Sequence, residues 1–159
     1  MYDLIIRNGT VVDGTGADRY VADIAVADGR IVAIEPGLDG AARDEIDATG
    51  LLVTPGFVDV HTHDDGQVTW DETLEPSSLH GVTTLVMGNC GVGVAPVRPG
   101  TEEWLIQLME GVEDIPGAAL SEGIDWSWET FPEYLDALSL RQWSVDIGTQ
   151  IPHGSVRAY

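Results

Sequence analysis

The chain has 159 residues, of which 43% are hydrophobic and 21% charged, a composition typical of about one globular domain rather than a disordered segment. It carries 27 acidic residues against 7 basic ones, which gives a formal net charge of -20. Such an acidic surface repels phosphate backbones and anionic lipid, so we expect neither nucleic acid nor a membrane surface as a partner.

Residues 1–55 are predicted to form a small antiparallel sheet, half of a β-sandwich. A short apolar run is followed by Asn8-Gly9, a hairpin turn signal, after which the chain is expected to return. Strands at 21–26 and 30–34 are predicted to pair across an Asp-Gly turn, which supplies the positive φ angles of a tight hairpin. A further strand is expected within 45–53.

Residues 56–159 show strands that alternate with amphipathic helices, a pattern that implies a parallel sheet with right-handed crossovers. The fold class is therefore α/β, and we expect the start of a TIM-like β/α barrel. Such a barrel needs eight strand–helix units and about 250 residues, so the chain is expected to be a fragment of a longer protein. The alternative is an autonomous small α/β domain. The expected strands are 57–60, 82–87 and 145–151, and the expected helices are 102–112 and 128–138.

The strand at 57–60 is expected to be buried. Residues three and four positions apart define the face that each helix is expected to bury. These are Trp104, Leu105, Leu108 and Val112 in the first helix, and Phe131, Leu135 and Leu138 in the second.

Three side chains with metal-ligand chemistry are expected at neighbouring strand ends. His61 and His63 lie two residues apart after the first barrel strand, so their side chains leave an extended backbone on the same side. An imidazole nitrogen needs about 2.0–2.1 Å to zinc, so both can bind one ion. Cys90 follows the second strand, and a thiolate beside a metal becomes a ligand. The alternatives are ordinary polar residues at a strand end and a small buried hydrophobe.

Five further polar residues are weighed against ordinary structural roles. His153 follows the third strand at the same rim and could face a substrate or a metal, and Arg157 could bind a carboxylate through two hydrogen bonds. A polar turn and a surface ion pair are the respective alternatives. Asp64 and Asp65 could be general bases, although capping is the commoner use of such residues. His80, at the start of the second strand, is interpreted as structural.

The cellular compartment is indicated only indirectly. Cys90 is the single cysteine, so no intrachain disulfide can form, which suits a reducing cytoplasm. The first residues contain neither a basic segment nor a long apolar run, so we expect no signal peptide and no transmembrane span.

Several stretches resemble one family of metal-dependent hydrolases. Residues 4–14 resemble the opening of the amidohydrolase superfamily, and residues 55–63 are similar to its first metal motif. The Gly-Asn-Cys-Gly stretch at 88–91 resembles the N-acyl-D-amino-acid deacylase, or D-aminoacylase, branch. The stretches at 112–116, 128–135 and 153–157 resemble the same branch.

The resemblance implies a β/α barrel with a small β-sandwich made from both chain ends. It implies one or two zinc ions held by His61 and His63, with Cys90 as a further ligand in the role that a carboxylated lysine plays in hydantoinase-like relatives. The family's two remaining histidines and its catalytic aspartate are expected beyond residue 159, so no catalytic residue is assigned within the chain. The fragment alone is therefore expected to be inactive.

The implied function is zinc-dependent hydrolysis of a linear amide, in which a small-molecule N-acyl-D-amino acid releases a D-amino acid. His153 and Arg157 are then the candidates for substrate binding. A cyclic-amide hydrolase, such as a hydantoinase or dihydroorotase, is an alternative that Cys90 opposes. A non-catalytic acidic binding domain is an alternative from a different class.

Overall fold

The computed structural model describes residues 1–113 and 115–159, so one position of the predicted motif at 112–116 lies outside the described residues. The chain divides into two compact units, Met1–Pro55 and Gly56–Tyr159. None of the helices in the described ranges is long and apolar enough to cross a membrane.

The first unit is a five-stranded mixed sheet. The strands are β1 (Tyr2–Val11), β2 (Tyr20–Ala27), β3 (Arg30–Glu35), β4 (Ala42–Asp47) and β5 (Leu52–Val53). Strand order is β3-β2-β1-β4, with β5 also paired to β1. The first three strands pair in antiparallel fashion, as expected, whereas β4 and β5 lie parallel to β1.

The two predicted turns of this unit have different outcomes. The hairpin between β2 and β3 is confirmed, with φ angles of 50° at Asp28 and 69° at Gly29. The prediction of a hairpin at Asn8-Gly9 is wrong, because β1 continues through these residues and its pairing with β2 shifts register there. Asn8 has a φ of 58°, and its backbone N–H donates to Asp23 Oδ1 at 2.7 Å. Asn8 and its positive φ therefore belong to a β-bulge within β1 and not to a turn between two strands.

A charged cluster ties the strands of the first unit together. Asp23 is only 4% exposed, and its carboxylate accepts hydrogen bonds from the backbone N–H of Asn8 at 2.7 Å and of Leu38 at 3.0 Å. Arg7 donates to Asp23 at 3.2 Å and to Glu45 Oε1 at 3.3 Å. Because a buried carboxylate needs partners for its charge, these contacts explain how Asp23 is tolerated on β2.

The second unit contains a parallel sheet and four α-helices among its described residues. The elements are β6 (Phe57–Thr62), 3-10 helices at Gln67–Thr69 and Ser78–His80, β7 (Val82–Met87), α1 (Glu102–Glu113), α2 (Gly117–Gly123), α3 (Phe131–Ser139), β8 (Asp146–Thr149) and α4 (His153–Ala158). The three strands are parallel and have the order β6-β7-β8. The predicted strand at 82–87 and the predicted helix at 102–112 match β7 and α1 closely, whereas α2 and α4 were not predicted.

The helices of this unit pack through faces that differ in part from the predicted ones. The buried positions of α1 are Leu105, Ile106 and Met109, and those of α3 are Tyr134 and Leu138. The expected burial of Trp104, Val112 and Leu135 is wrong, because each of them is exposed. Apolar residues occur on more than one stripe of both helices, so periodicity alone did not decide which stripe meets the sheet.

The expected burial of β6 is also wrong within the described chain. Its apolar residues Phe57, Val58 and Val60 are each more than half exposed. β6 is an edge strand, so one side has no hydrogen-bonded neighbour among the described strands. By contrast, Leu85 and Met87 of the central strand β7 are completely buried.

Candidate metal centre

The side chains of the three predicted ligands lie close together at the carboxyl ends of two neighbouring parallel strands. His61 lies in β6 and His63 just beyond its end, with ring centroids 5.5 Å apart. Cys90 follows the neighbouring parallel strand β7, and its Sγ lies 3.7 Å from His63 Nδ1. One donor atom from each of the three residues lies within 4.8 Å of the other two. Parallel pairing thus brings together side chains that are 27 residues apart in sequence.

The donor types fit a zinc ion, and the spacing of one pair of donors matches it. Tetrahedral zinc, with bonds of about 2.3 Å to sulfur and 2.0–2.1 Å to nitrogen, separates two such ligands by about 3.6 Å. The observed separation of 3.7 Å between the Cys90 and His63 donor atoms is close to that value. Thiolate and imidazole are also the ligand types that zinc prefers. His61 is exposed and the other two are half-buried, so the site is open to solvent on one side.

Neighbouring backbone holds the loop that carries Cys90. The Asn89 side-chain amide donates to the Val60 carbonyl of β6 at 3.0 Å. The Val92 backbone N–H donates to Cys90 Sγ at 3.3 Å, which holds the sulfur beside this stretch of backbone. At Gly88 φ is 79°, and a Cβ there would lie 2.1 Å from the Gln150 carbonyl oxygen. Only glycine fits where this loop begins.

The two residues after His63 are both acidic, with Asp64 half-buried and Asp65 buried. Burial raises the pKa of Asp64, and the charge of Asp59 raises it further, while the charge of His63 lowers it. Among the described residues, Asp64 Oδ2 has no hydrogen-bond partner although it is buried. Asp65 is 1% exposed, and its backbone carbonyl accepts from the Tyr134 hydroxyl at 3.1 Å. The N-cap residue of the 3-10 helix that follows is Gly66, so a capping role for Asp64 or Asp65 stays a prediction.

The candidates for substrate binding lie in α4. His153 is the first residue of this helix, and its Cβ lies 3.6 Å from the place that a Cβ on Gly91 would occupy. His153 therefore borders the Cys90 loop, whereas Arg157 lies one turn further along α4. Both side chains are exposed. Their contact with a substrate remains a prediction.

The fourth histidine, His80, lies apart from the predicted ligands. His80 ends the 3-10 helix that precedes β7, so it lies at the opposite end of that strand from Cys90. This position agrees with its interpretation as structural. The Gly-Asn-Cys-Gly stretch at 88–91 contained Asn89, but no signal in the sequence predicted the hydrogen bond of Asn89 to β6 or that of Val92 to the sulfur.

The chain belongs to the amidohydrolase family, whose family model matches residues 44–159. Within that family it is similar to D-aminoacylase of Alcaligenes xylosoxydans xylosoxydans, with 36% identity over 157 residues that cover 99% of this chain and 30% of the relative. The resemblance predicted from the sequence is thereby confirmed.

Two solved structures show the same relationship. A crystal structure of D-aminoacylase matches with a TM-score of 0.79 and 34% identity, covering 99% of this chain and 31% of that one. N-acyl-D-glutamate deacylase from Bordetella bronchiseptica, solved with zinc and a phosphonate inhibitor, matches with a TM-score of 0.76 and 35% identity over 98% of this chain and 30% of that one. The chain thus spans about 30% of the length of these relatives.

Proposed function

We propose that the chain supplies part of the metal centre of a zinc-dependent amidohydrolase that releases a D-amino acid from an N-acyl-D-amino acid. The observation that carries this proposal is the convergence of His61, His63 and Cys90, whose donor atoms lie within 4.8 Å of one another. Similarity to D-aminoacylase and to a deacylase solved with zinc supports the metal and the substrate class. Because the chain spans about 30% of these relatives, the activity is proposed for a protein that contains the chain within a complete barrel.

The proposed setting of the centre is an eight-stranded β/α barrel, with residues 1–55 contributing to a small β-sandwich. Support comes from three consecutive parallel strands, β6, β7 and β8, joined by segments that contain helices. His61, His63 and Cys90 lie at the carboxyl ends of their strands, which is where barrel enzymes carry their active sites.

The residues of the chain have distinct proposed roles. The imidazoles of His61 and His63 and the thiolate of Cys90 hold the ion, and the Val92 N–H stabilises the negative sulfur. A zinc ion bound there supplies a Lewis acid that activates water and polarises the amide carbonyl. Arg157 is proposed to bind the substrate carboxylate, because a guanidinium matches a carboxylate in geometry and charge. The general acid–base aspartate and two further histidines are proposed to lie outside these 159 residues.

Zinc binding by the chain and by single-residue variants tests the centre. We expect the replacements His61→Ala, His63→Ala and Cys90→Ala each to weaken zinc binding by more than about 100-fold, since losing a direct ligand costs more than losing an outer partner. Isothermal titration calorimetry with zinc measures the dissociation constants, and metal analysis of the saturated chain gives the number of ions.

His80→Ala is the matched control, because it removes an imidazole at the other end of β7. Equal zinc affinity in all four variants would remove the basis of the proposal. In a complete protein that contains this chain, hydrolysis of N-acetyl-D-amino acids in preference to their L-enantiomers is the expected activity. Opening of a hydantoin ring instead would favour the cyclic-amide alternative.

A further inference from the structure

We infer that Gly154 and Ser155, at the start of α4, are positioning residues that hold the Cys90 ligand in place through the backbone around Val92. This inference rests on the metal centre proposed above. It gives the segment at 153–157 a role that is distinct from substrate binding.

Two hydrogen bonds from α4 reach the Cys90 loop. The Gly154 backbone N–H donates to the Gly91 carbonyl at 2.7 Å. The Ser155 hydroxyl donates to the Gly93 carbonyl at 2.6 Å. These carbonyls belong to the residues on either side of Val92, whose own N–H donates to Cys90 Sγ at 3.3 Å. The short segment that hydrogen-bonds the sulfur is therefore fixed at both ends.

The contact between α4 and the loop leaves no spare room. A Cβ on Gly154 would lie 2.8 Å from the Gly91 carbonyl oxygen, and a Cβ on Gly93 would lie 2.8 Å from Pro152 Cγ. The Ser155 side chain is completely buried. Water cannot readily replace a hydroxyl in such a place, so loss of the Ser155 hydroxyl would leave a buried carbonyl without its donor.

The expected chemical consequence is a change in how Cys90 Sγ binds a metal ion. An N–H that points at a ligand thiolate stabilises its charge and fixes the direction in which the sulfur presents its lone pairs. The Val92 N–H and the Gly91 carbonyl belong to one peptide, which Gly154 holds directly, whereas the Gly93 carbonyl lies two peptides further on. When Ser155 no longer holds the Gly93 carbonyl, the backbone after Val92 can shift, and the Val92 N–H loses its alignment with the sulfur. Outer partners of metal ligands commonly contribute about 10–100-fold to metal affinity, so we expect an effect of this size.

The replacement Ser155→Ala tests the inference with cobalt(II) in the place of zinc, because cobalt reports its thiolate bond by a sulfur-to-metal charge-transfer band. We expect the cobalt dissociation constant to rise by about 10–100-fold and the band to move. The control is Ser144→Ala, which removes a serine hydroxyl that donates to the Thr73 carbonyl at 2.8 Å, outside the Cys90 loop. Its affinity and band should match those of the unaltered chain.

Gly154→Ala is a second, independent variant that acts on the other end of the same segment. Its new Cβ would meet the Gly91 carbonyl oxygen at 2.8 Å, so it should also shift the band. The control is Gly111→Ala in α1, where an added Cβ meets nothing within 4 Å. Thermal unfolding of every variant separates lost stability from altered ligation.

The outcomes distinguish this inference from the proposed function. If the unaltered chain binds no cobalt, the metal centre fails and the positioning role fails with it. If the unaltered chain binds cobalt but the Ser155 and Gly154 variants keep its affinity and band, the positioning role is overturned while the metal centre stands. A lower melting temperature with an unchanged band assigns the two residues to stability alone and also overturns the inference.

Discussion

The unit Met1–Pro55 and the unit Gly56–Tyr159 reach stability by different means. In the first, small apolar clusters flank a sheet whose strands are also linked by Arg7, Asp23 and Glu45. In the second, one larger apolar core contains residues from β7, α1, α2 and α3. A small unit that buries little apolar surface gains relatively more from charged hydrogen bonds, whereas a larger core depends on close packing.

The distribution of tryptophan makes the two units separately observable. All five tryptophans of the chain lie in the second unit. Tryptophan fluorescence therefore follows the unfolding of that unit, whereas amide hydrogen exchange at β1 and β2 follows the first. The predictions below use this separation.

The largest effect is expected from Gly88→Ala in the second unit. The new Cβ would lie 2.1 Å from the Gln150 carbonyl oxygen, and backbone atoms of two adjacent strand ends cannot both move aside cheaply. We expect a loss of more than about 3 kcal/mol in the free energy of unfolding, measured by denaturant titration with tryptophan fluorescence. Exchange at β1 should be unchanged if the units are stabilised independently.

Gly100→Ala is the control for this replacement. Gly100 has a φ of 86°, close to the 79° of Gly88, but an added Cβ there meets nothing within 4 Å. It should therefore cost only the backbone penalty of about 1–2 kcal/mol. Equal losses for the two variants would show that the crowding between the strand ends carries no energy.

An intermediate effect is expected from Asp23→Asn in the first unit. The amide keeps the size of the side chain but removes its charge, so the hydrogen bonds from Arg7 and from two backbone N–H groups weaken in a buried place. The expected loss is about 1–3 kcal/mol, measured by hydrogen exchange at β1 and β2. Asp18→Asn, at an exposed loop position, should change stability by less than about 0.5 kcal/mol. If the free energy of unfolding measured by tryptophan fluorescence fell by the same amount, the two units would unfold together.

The smallest expected effect is a pH dependence of the difference in stability between the unaltered chain and the Asp23→Asn variant. The Asn8 N–H, together with Arg7 and the Leu38 N–H, lowers the pKa of Asp23 in the folded chain. The stabilisation is therefore present above the unfolded value of about 4 and is lost as the pH falls through the lowered folded pKa. The stabilities of the unaltered chain and of the Asp23→Asn variant, measured by hydrogen exchange at β1 and β2, should accordingly converge as the pH falls below about 4. A gap that stays constant down to pH 3 would show that the charge of Asp23 is not the stabilising feature.

Local sequence signals predicted those parts of the fold that depend on nearby residues. The Asp28-Gly29 hairpin and the strand β7 follow from turn chemistry and from a run of β-branched residues. The bulge at Asn8 was not predictable in this way, because it depends on a carboxylate 15 residues away. The same reason applies to β4, whose parallel pairing with β1 is set by the path of the intervening chain.

The site shows the same division. The meeting of His61, His63 and Cys90 was predictable, because alternation along a strand and parallel pairing fix where their side chains begin. The hydrogen bond from Ser155 to Gly93 joins residues 62 apart, and the short helix that presents it gave no clear signal in the sequence. Sequence motifs therefore indicated the proposed ligands but not the backbone hydrogen bonds around them.

The long reach of that hydrogen bond has a consequence for the order in which the chain is made. The ribosome adds His61 and His63 first and Cys90 27 residues after His63. Ser155 is added last, 62 residues after Gly93. Until then the nascent chain exposes an imidazole pair and a thiol whose loop is not yet fixed. Long-range contacts also form late in folding, because the entropy of closing a long loop opposes them. A metal ion that arrives during translation would therefore meet a flexible, unselective chelate, and geometric selectivity would appear only when α4 docks.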